Sequence, residues 1–247
     1  MAKRLVRSPS ARPSSGVEQI PNRLLAALPR DDYRRLMPHL TTVPIKVKQV
    51  LHKHGEVVKD VFFPNVGVCS MTTVMTDGSM VEVATIGNEG LVGINAFLGD
   101  NVTPGATMVQ VGSGTAVRMG VAEFKREVRR GGAFQDVVNR YAQALVATMM
   151  QSVACNTLHP LRQRCARWLL STQDRVAGGS FGLSHEFLAV MLGAQRPTVT
   201  LVAGSLQKSG LIRYKHGQVT ILDRDGLEAA ACECYGTIRS HFQRLRL

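Results

Sequence analysis

The sequence predicts an α+β chain: an N-terminal antiparallel β-roll (jelly roll), a long helix, and a C-terminal winged helix-turn-helix. Three observations carry that prediction. Short β-prone segments recur between turn residues from Thr41 to Met119, an apolar stripe at helical spacing runs from Phe134 to Val153, and Leu183 to Ile221 reads as helix, tight turn, helix and hairpin. At 247 residues the chain is long enough for two modest domains, each with its own core.

Met1 to Gly16 is rich in Arg, Ser and Pro and lacks the apolar stretch of a signal peptide, so residues 1–20 are expected to form a disordered basic tail. Pro21 to Leu40 suggests short helices, with Asn22 and Asp31 as caps and Leu24, Leu25, Leu28, Leu36 and Met37 buried. Strands are then expected at Val43–Val47, Val61–Phe63, Val68–Val74, Val81–Ile86, Met108–Val111 and Thr115–Met119. Their spacing fits a small antiparallel barrel or jelly roll, and Asp77-Gly78 is a hairpin turn signal.

A short helix, Val121 to Arg130, is broken by Gly131-Gly132, and a longer one runs from Ala133 to about Asn156. A helix of this length between two halves tends to offer one face to a second copy of the chain. Phe134, Val138, Tyr141, Leu145, Met149 and Val153 are therefore expected at a dimer interface, the alternative being that the stripe is intramolecular core. Pro160 opens a further helix, with Trp168, Leu169 and Leu170 as anchors. The expected division is a sensor domain at 21–130, a dimerisation helix at 131–157 and a DNA-binding domain at 158–247.

In that last segment Ser184 is a good N-cap for a helix His185–Leu192, and Gly193 frees the backbone for a sharp turn. The second helix opens near Gln195, carries Pro197 in its first turn, where a missing N–H costs nothing, and stops at Gly210. Two strands around Lys215-His216-Gly217 make a small basic wing. This arrangement places a short helix where its outer face can enter a DNA groove.

Charge supports a polyanionic partner. The net charge is +12, yet residues 31–155 hold 12 Lys/Arg against 11 Asp/Glu, whereas residues 156–247 hold 12 against 6. Double-stranded DNA is the expected partner, through phosphate neutralisation and counterion release. A membrane is not expected: no apolar run approaches the roughly 18 residues that span a bilayer, and no helix joins a basic face to an aromatic one. The chain is expected to be cytoplasmic. Five cysteines, Cys69, Cys155, Cys165, Cys232 and Cys234, show no disulfide or zinc-finger spacing and read as buried or free thiols.

Two rival readings differ in class. His52-Lys53-His54-Gly55-Glu56 could hold a metal in a cupin-like enzyme, but no histidine lies between Glu56 and His159 to complete the set. Alternatively, the chain is a ligand-binding module whose basic half docks on a protein. No catalytic triad, P-loop or dinucleotide fingerprint supports an enzyme, and none is expected.

The order of elements, with Leu188-Ala189-x-Met191-Leu192-Gly193 running into Arg196-x-Thr198-Val199-Thr200, resembles the Crp/Fnr family of bacterial transcription regulators. Gly87-Asn88-Glu89-Gly90-Leu91-Val92-Gly93 and Leu206-Gln207-Lys208-Ser209-Gly210-Leu211-Ile212 share that likeness. The resemblance implies a cyclic-nucleotide-binding-like sensor domain, a homodimer on a near-palindromic site, and RNA polymerase as a candidate partner. It places Arg196 against base edges, with Pro197 and Leu201 beside it at positions often charged in relatives. Leu201 either packs on a thymine methyl or is buried against the wing. Ser184, His185, Gln195, Thr198 and Thr200 suit phosphate contacts, and Lys208, Lys215 and His216 add sequence-blind attraction.

The resemblance fails at the effector. Where cyclic-AMP-binding members carry a glutamate for the ribose and an Arg-Ser pair for the phosphate, this chain has Ile94 and Pro104-Gly105. Burying a cyclic phosphate without a guanidinium costs several kcal/mol, so cyclic AMP is disfavoured. The iron–sulfur branch uses an N-terminal cysteine cluster, and here no cysteine precedes Cys69, so that cofactor is disfavoured too. No cofactor is expected.

Overall fold

The computed structural model describes residues 20–176 and 178–246. The expected tail, residues 1–20, lies outside them apart from Ile20. Two short helices, α1 (Arg23–Ala26) and α2 (Arg30–Leu36), lead through a 3-10 turn at Met37–His39 into the first strands. Asn22 is fully buried and fully satisfied: its side chain caps α1 at Leu24 and Leu25 and donates to the carbonyls of Pro64 (2.8 Å) and Gly90 (3.0 Å).

The strands are β1 (Thr41–Ile45), β2 (Val50–His52), β3 (Asp60–Pro64), β4 (Val68–Val74) and β5 (Met80–Ile86). After a short helix α3 (Asn95–Leu98) come β6 (Ala106–Val111) and β7 (Gly114–Gly120). They form two antiparallel sheets, β1-β7-β3 and β2-β6-β4-β5, closed over Ile45, Cys69, Ile86, Val92, Val109 and Ala116. Each expected strand is present. Strand β2 and helix α3 were not anticipated from sequence: each is too short for a periodic signal, and β2 interposes a bulge in its pairing with β6.

Helix α4 (Val121–Arg129) leads to α5 (Ala133–Leu158). Along α5, Phe134, Val138, Tyr141 and Leu145 are buried in the chain's own core. That corrects the expected dimer stripe, because these side chains pack on the β-roll and on the C-terminal helix of the same chain. Met149 is half-buried and Val153 is exposed. The apolar face left open is Val146, Met150 and Val153, spaced four and three residues apart and 52%, 69% and 69% exposed.

Beyond α5 lie α6 (Leu161–Gln173), β8 (Ser180–Gly182), α7 (His185–Leu192) and α8 (Arg196–Lys208). The wing strands β9 (Ile212–Lys215) and β10 (Gln218–Ile221) follow, then α9 (Arg224–Ala230) and α10 (Cys234–Arg244). A third sheet, β8-β10-β9, carries the wing, and a core around Trp168, Leu188, Leu192, Val199, Leu206 and Ile212 holds the helices to it. Helix α10 returns to the first half, burying Ile238 and Phe242 in the core that contains the N-terminal part of α5. Among the described residues no single helix is long and apolar enough to cross a membrane.

Candidate nucleic-acid interface

Helices α7 and α8 are set at 104° to one another, within the range of DNA-reading helix pairs. The Ser184 hydroxyl accepts from the Phe187 N–H at 3.1 Å and fixes the start of α7. At its end Gly193 adopts a left-handed conformation (φ 57°, ψ 44°) that a side chain would resist. Arg164 donates to the Leu192 carbonyl at 3.0 Å, so α6 clamps the turn from behind. Val199, Ala203 and Leu206 anchor α8 inward.

The outer face of α8 is open. Gln195, Arg196, Pro197, Thr198, Thr200, Leu201 and Lys208 are exposed, as are Lys215 and His216 on the wing. Leu201 is 75% exposed, which decides between the two placements left open by the sequence: it points outward and is not covered by the wing. The wing turn holds His216 and Gly217 at φ 50° and 72°, the left-handed pair that a two-residue hairpin turn requires.

Three expected contact residues are engaged within the fold. Ser184 caps α7. Thr200 donates to the Arg196 carbonyl and shares a 3.0 Å hydrogen bond with His185 Nδ1, while the His185 ring lies tilted against Tyr214, with centroids 4.2 Å apart. Burial, then the Arg196 charge, lowers the His185 pKa and disfavours the charged ring. His185 and Thr200 thus brace α7, α8 and the wing.

Sequence reasoning missed how this half is fastened to the β-roll. Trp168 on α6 donates its indole N–H to Glu82 on β5 at 3.0 Å, and Ser70 on β4 donates to the other carboxylate oxygen at 2.7 Å. Arg175 reaches Glu89 with Nε at 2.9 Å and Nη2 at 2.8 Å, and Thr85 with Nη1 at 3.0 Å. Both carboxylates are buried. The signal for one of them was visible, since Glu89 lies within Gly87–Gly93.

Between the β-roll and α5 lies a cavity of about 360 Å³, lined by Met71, Val81, Val83, Pro104, Met149 and Val153 among others. Its lining contains the carboxylate Glu82 and no Lys or Arg. A Cβ at Gly105 would come within 2.1 Å of the Thr72 carbonyl oxygen, so this position has no room for a side chain. Ile94 is buried in the core.

The three residues considered for a cupin-like metal site have separate partners. His52 Nε2 meets the Asp60 carbonyl, His54 Nδ1 meets the Pro104 carbonyl, and Glu56 pairs with Lys53. Among the described residues, the metal-capable side chains that do converge are Cys155, His159, Cys232 and Cys234.

The described residues thus form a β-roll, a long helix and a winged helix-turn-helix whose second helix is open. Residues 163–230 match the Crp-like helix-turn-helix domain. The fold is shared with FixK2 from Bradyrhizobium japonicum (TM-score 0.67, 14% identity, covering 78% of this chain and 98% of that one). It is shared also with a putative Crp/Fnr transcriptional regulator from Eubacterium rectale (TM-score 0.65, 16% identity, 84% and 96% covered). A third is the Crp-family regulator TTHB099 from Thermus thermophilus (TM-score 0.64, 21% identity, 76% and 96% covered). No curated protein matches the chain. Residues 163–230 thus carry a Crp-like helix-turn-helix domain, and the described residues share the fold of these structures.

Proposed function

We propose that the chain is a homodimeric, sequence-specific DNA-binding regulator whose α8 lies in the major groove at each half of a near-palindromic site. In this reading residues 21–130 sense, 131–157 pair two copies and 158–247 read DNA. The observation that carries it is the open surface of α8, where Arg196 in the first turn and Leu201 one turn further are both exposed on a helix clamped from behind. Arg196 offers a bidentate fork to guanine O6 and N7, and Leu201 an apolar surface to a thymine methyl. Gln195 and Thr198 at the helix start, with Lys208, Lys215 and His216, supply phosphate contacts.

Selection of bound sequences from a random duplex pool tests this. A two-fold-symmetric motif, with half-sites about one helical turn apart, is expected. Arg196→Ala should then relax preference at one base pair per half-site by about 1–3 kcal/mol. Uniform weakening on every sequence would assign Arg196 to phosphate alone. Binding insensitive to salt would favour a protein partner for the basic half.

Pairing of two copies is assigned to the open face of α5, Val146, Met150 and Val153. Met150→Asp should shift the chain from dimer to monomer in light scattering, because a charge on an apolar helix seam is left without a partner. An unchanged mass would place the interface elsewhere.

The sensor half does not take cyclic AMP in the manner of the resembled family. Its cavity lining offers a carboxylate and no cation, and Gly105 has no space for a phosphate-binding side chain. Titration calorimetry with cyclic AMP should give no heat; micromolar binding would reverse this reading.

A further inference from the structure

Two segments far apart in sequence bring three thiols and an imidazole together. Cys155 sits in the last turn of α5 and His159 is the residue that caps it, four positions on. Cys232 precedes α10 and Cys234 is its first residue, with Glu233 between them at the N-cap. The four potential ligand atoms all lie within 4.8 Å of one another. Cys155 Sγ and Cys232 Sγ are 3.5 Å apart, and Cys234 Sγ is 3.4 Å from His159 Nδ1. A tetrahedron with zinc–sulfur bonds of about 2.3 Å has edges of about 3.8 Å, so the observed separations need only small adjustments.

The surroundings are those of a metal ligand set. All three cysteines are buried and unbridged. His159 turns Nδ1 to the thiols, and its Nε2 is held by the Glu233 carboxylate at 3.1 Å, the carboxylate–histidine pairing that orients an imidazole towards a metal. Gln151 donates to Cys234 Sγ at 3.0 Å. Within this coupled set the first thiolate is favoured at Cys155, by the Cys232 thiol and the Arg167 charge, and disfavoured at Cys232 and Cys234. Arg167 Nε is itself buried without a hydrogen-bond partner. Three thiolates around a divalent ion leave one net negative charge, which that guanidinium is placed to balance.

We propose that Cys155, His159, Cys232 and Cys234 form a structural zinc site that fastens α10 to the C-terminal end of α5. The ligand set is closed, with soft thiolates and one imidazole, and suits Zn2+ over the oxygen-preferring cations. Binding displaces thiol protons and joins the long helix to the segment that follows the wing. The sequence signal is weak because neither half is diagnostic: Cys-x3-His and Cys-x-Cys are separated by 72 residues between His159 and Cys232.

The direct test uses the reduced full-length chain and the metal alone. Zinc titration followed by desalting and elemental analysis should find about one ion per chain. Co2+ in its place should give the ligand-field bands of a tetrahedral centre and thiolate-to-cobalt charge transfer. Cys69→Ser and Cys165→Ser should keep both signals, whereas Cys232→Ser and Cys234→Ser lose them. Glu233→Gln should retain the spectrum and weaken affinity about 10–100-fold. The cobalt spectrum of the unmutated chain decides the matter even where a cysteine variant fails to fold. Absence of that spectrum at micromolar metal overturns the proposal, as does undiminished metal binding in a folded Cys155→Ser chain. A Cys155–Cys232 disulfide, with no cobalt uptake after reduction, would overturn it in favour of a redox pair. None of these readouts involves DNA, so the zinc site stands or falls independently of the groove-reading role.

Discussion

Arg175→Ala should destabilise the chain by about 3–5 kcal/mol, because it leaves the Glu89 carboxylate buried without its counter-ion. The side chains of Arg175 and Glu89 are 10% and 7% exposed, and Arg175 Nε and Nη2 both reach the same Glu89 oxygen, Oε1. Burial alone would raise the Glu89 pKa, but the guanidinium more than reverses this and holds it below the usual carboxylate range. The same side chain serves Thr85 and the Ser171 carbonyl, and its own backbone carbonyl accepts from the Gly67 N–H at 2.9 Å. One residue thus ties the end of α6 to β4, β5 and the β5–α3 segment. Thermal melts of Arg175→Ala, Glu89→Gln and the double variant measure this. The double variant should be far less damaged than the sum of the two single changes, since neither charge then remains unpaired. A loss below about 1 kcal/mol for Arg175→Ala would mean that the pair is solvated and the two halves part in solution.

The fold was readable because each level of the sequence agreed with the next. Val43, Val61, Val68 and Val81 mark strands bounded by turn residues, and Ser184, Gly193, Pro197 and Gly210 punctuate the helix pair at the positions found. What stayed hidden depends on distance in sequence. Phe134, Val138, Tyr141 and Leu145 form a helical stripe that fits an internal core as well as a partner, and periodicity does not say which surface covers it. The return of α10 onto α5, which buries Ile238 and Phe242 beside that stripe, has no local signature. Glu82 and Trp168 are 86 residues apart and would each read alone as a surface acid and a core aromatic. Cys155 and Cys232 were hidden for the same reason. In the recognition segment, Arg196 and Leu201 were legible as outward positions, whereas the use of His185 and Thr200 as braces follows from a hydrogen bond between two different helices.

Glu82→Gln should make the chain more stable at pH 8 and leave it little changed at pH 5. The Glu82 carboxyl is enclosed between β5 and α6, and burial pushes its pKa up to about 7, against the hydrogen bonds from Ser70 and Trp168 and the charges of Arg167 and Arg175. The folded chain therefore binds this proton more tightly than the unfolded one, whose carboxyl titrates near 4.5. Its contribution is fully present below about 4.5, is lost as pH rises to about 7, and is level above that. The loss is roughly 3 kcal/mol across that window. Glu89 acts with the opposite sign but outside the window: its pKa is lowered, so its contribution is lost only as pH falls below the ordinary carboxylate range. His52 and His185, both lowered by burial, favour the higher pH within the window. They contribute equally to the wild-type and Gln chains and cancel in the difference. Melting temperatures measured from pH 5 to pH 8 should diverge up to about pH 7 and then keep a constant gap, the Gln chain ending several degrees higher, at about 2–4 °C per kcal/mol. Parallel curves would show that Glu82 titrates as an ordinary carboxylate, and that the Trp168 contact is not closed over it in solution.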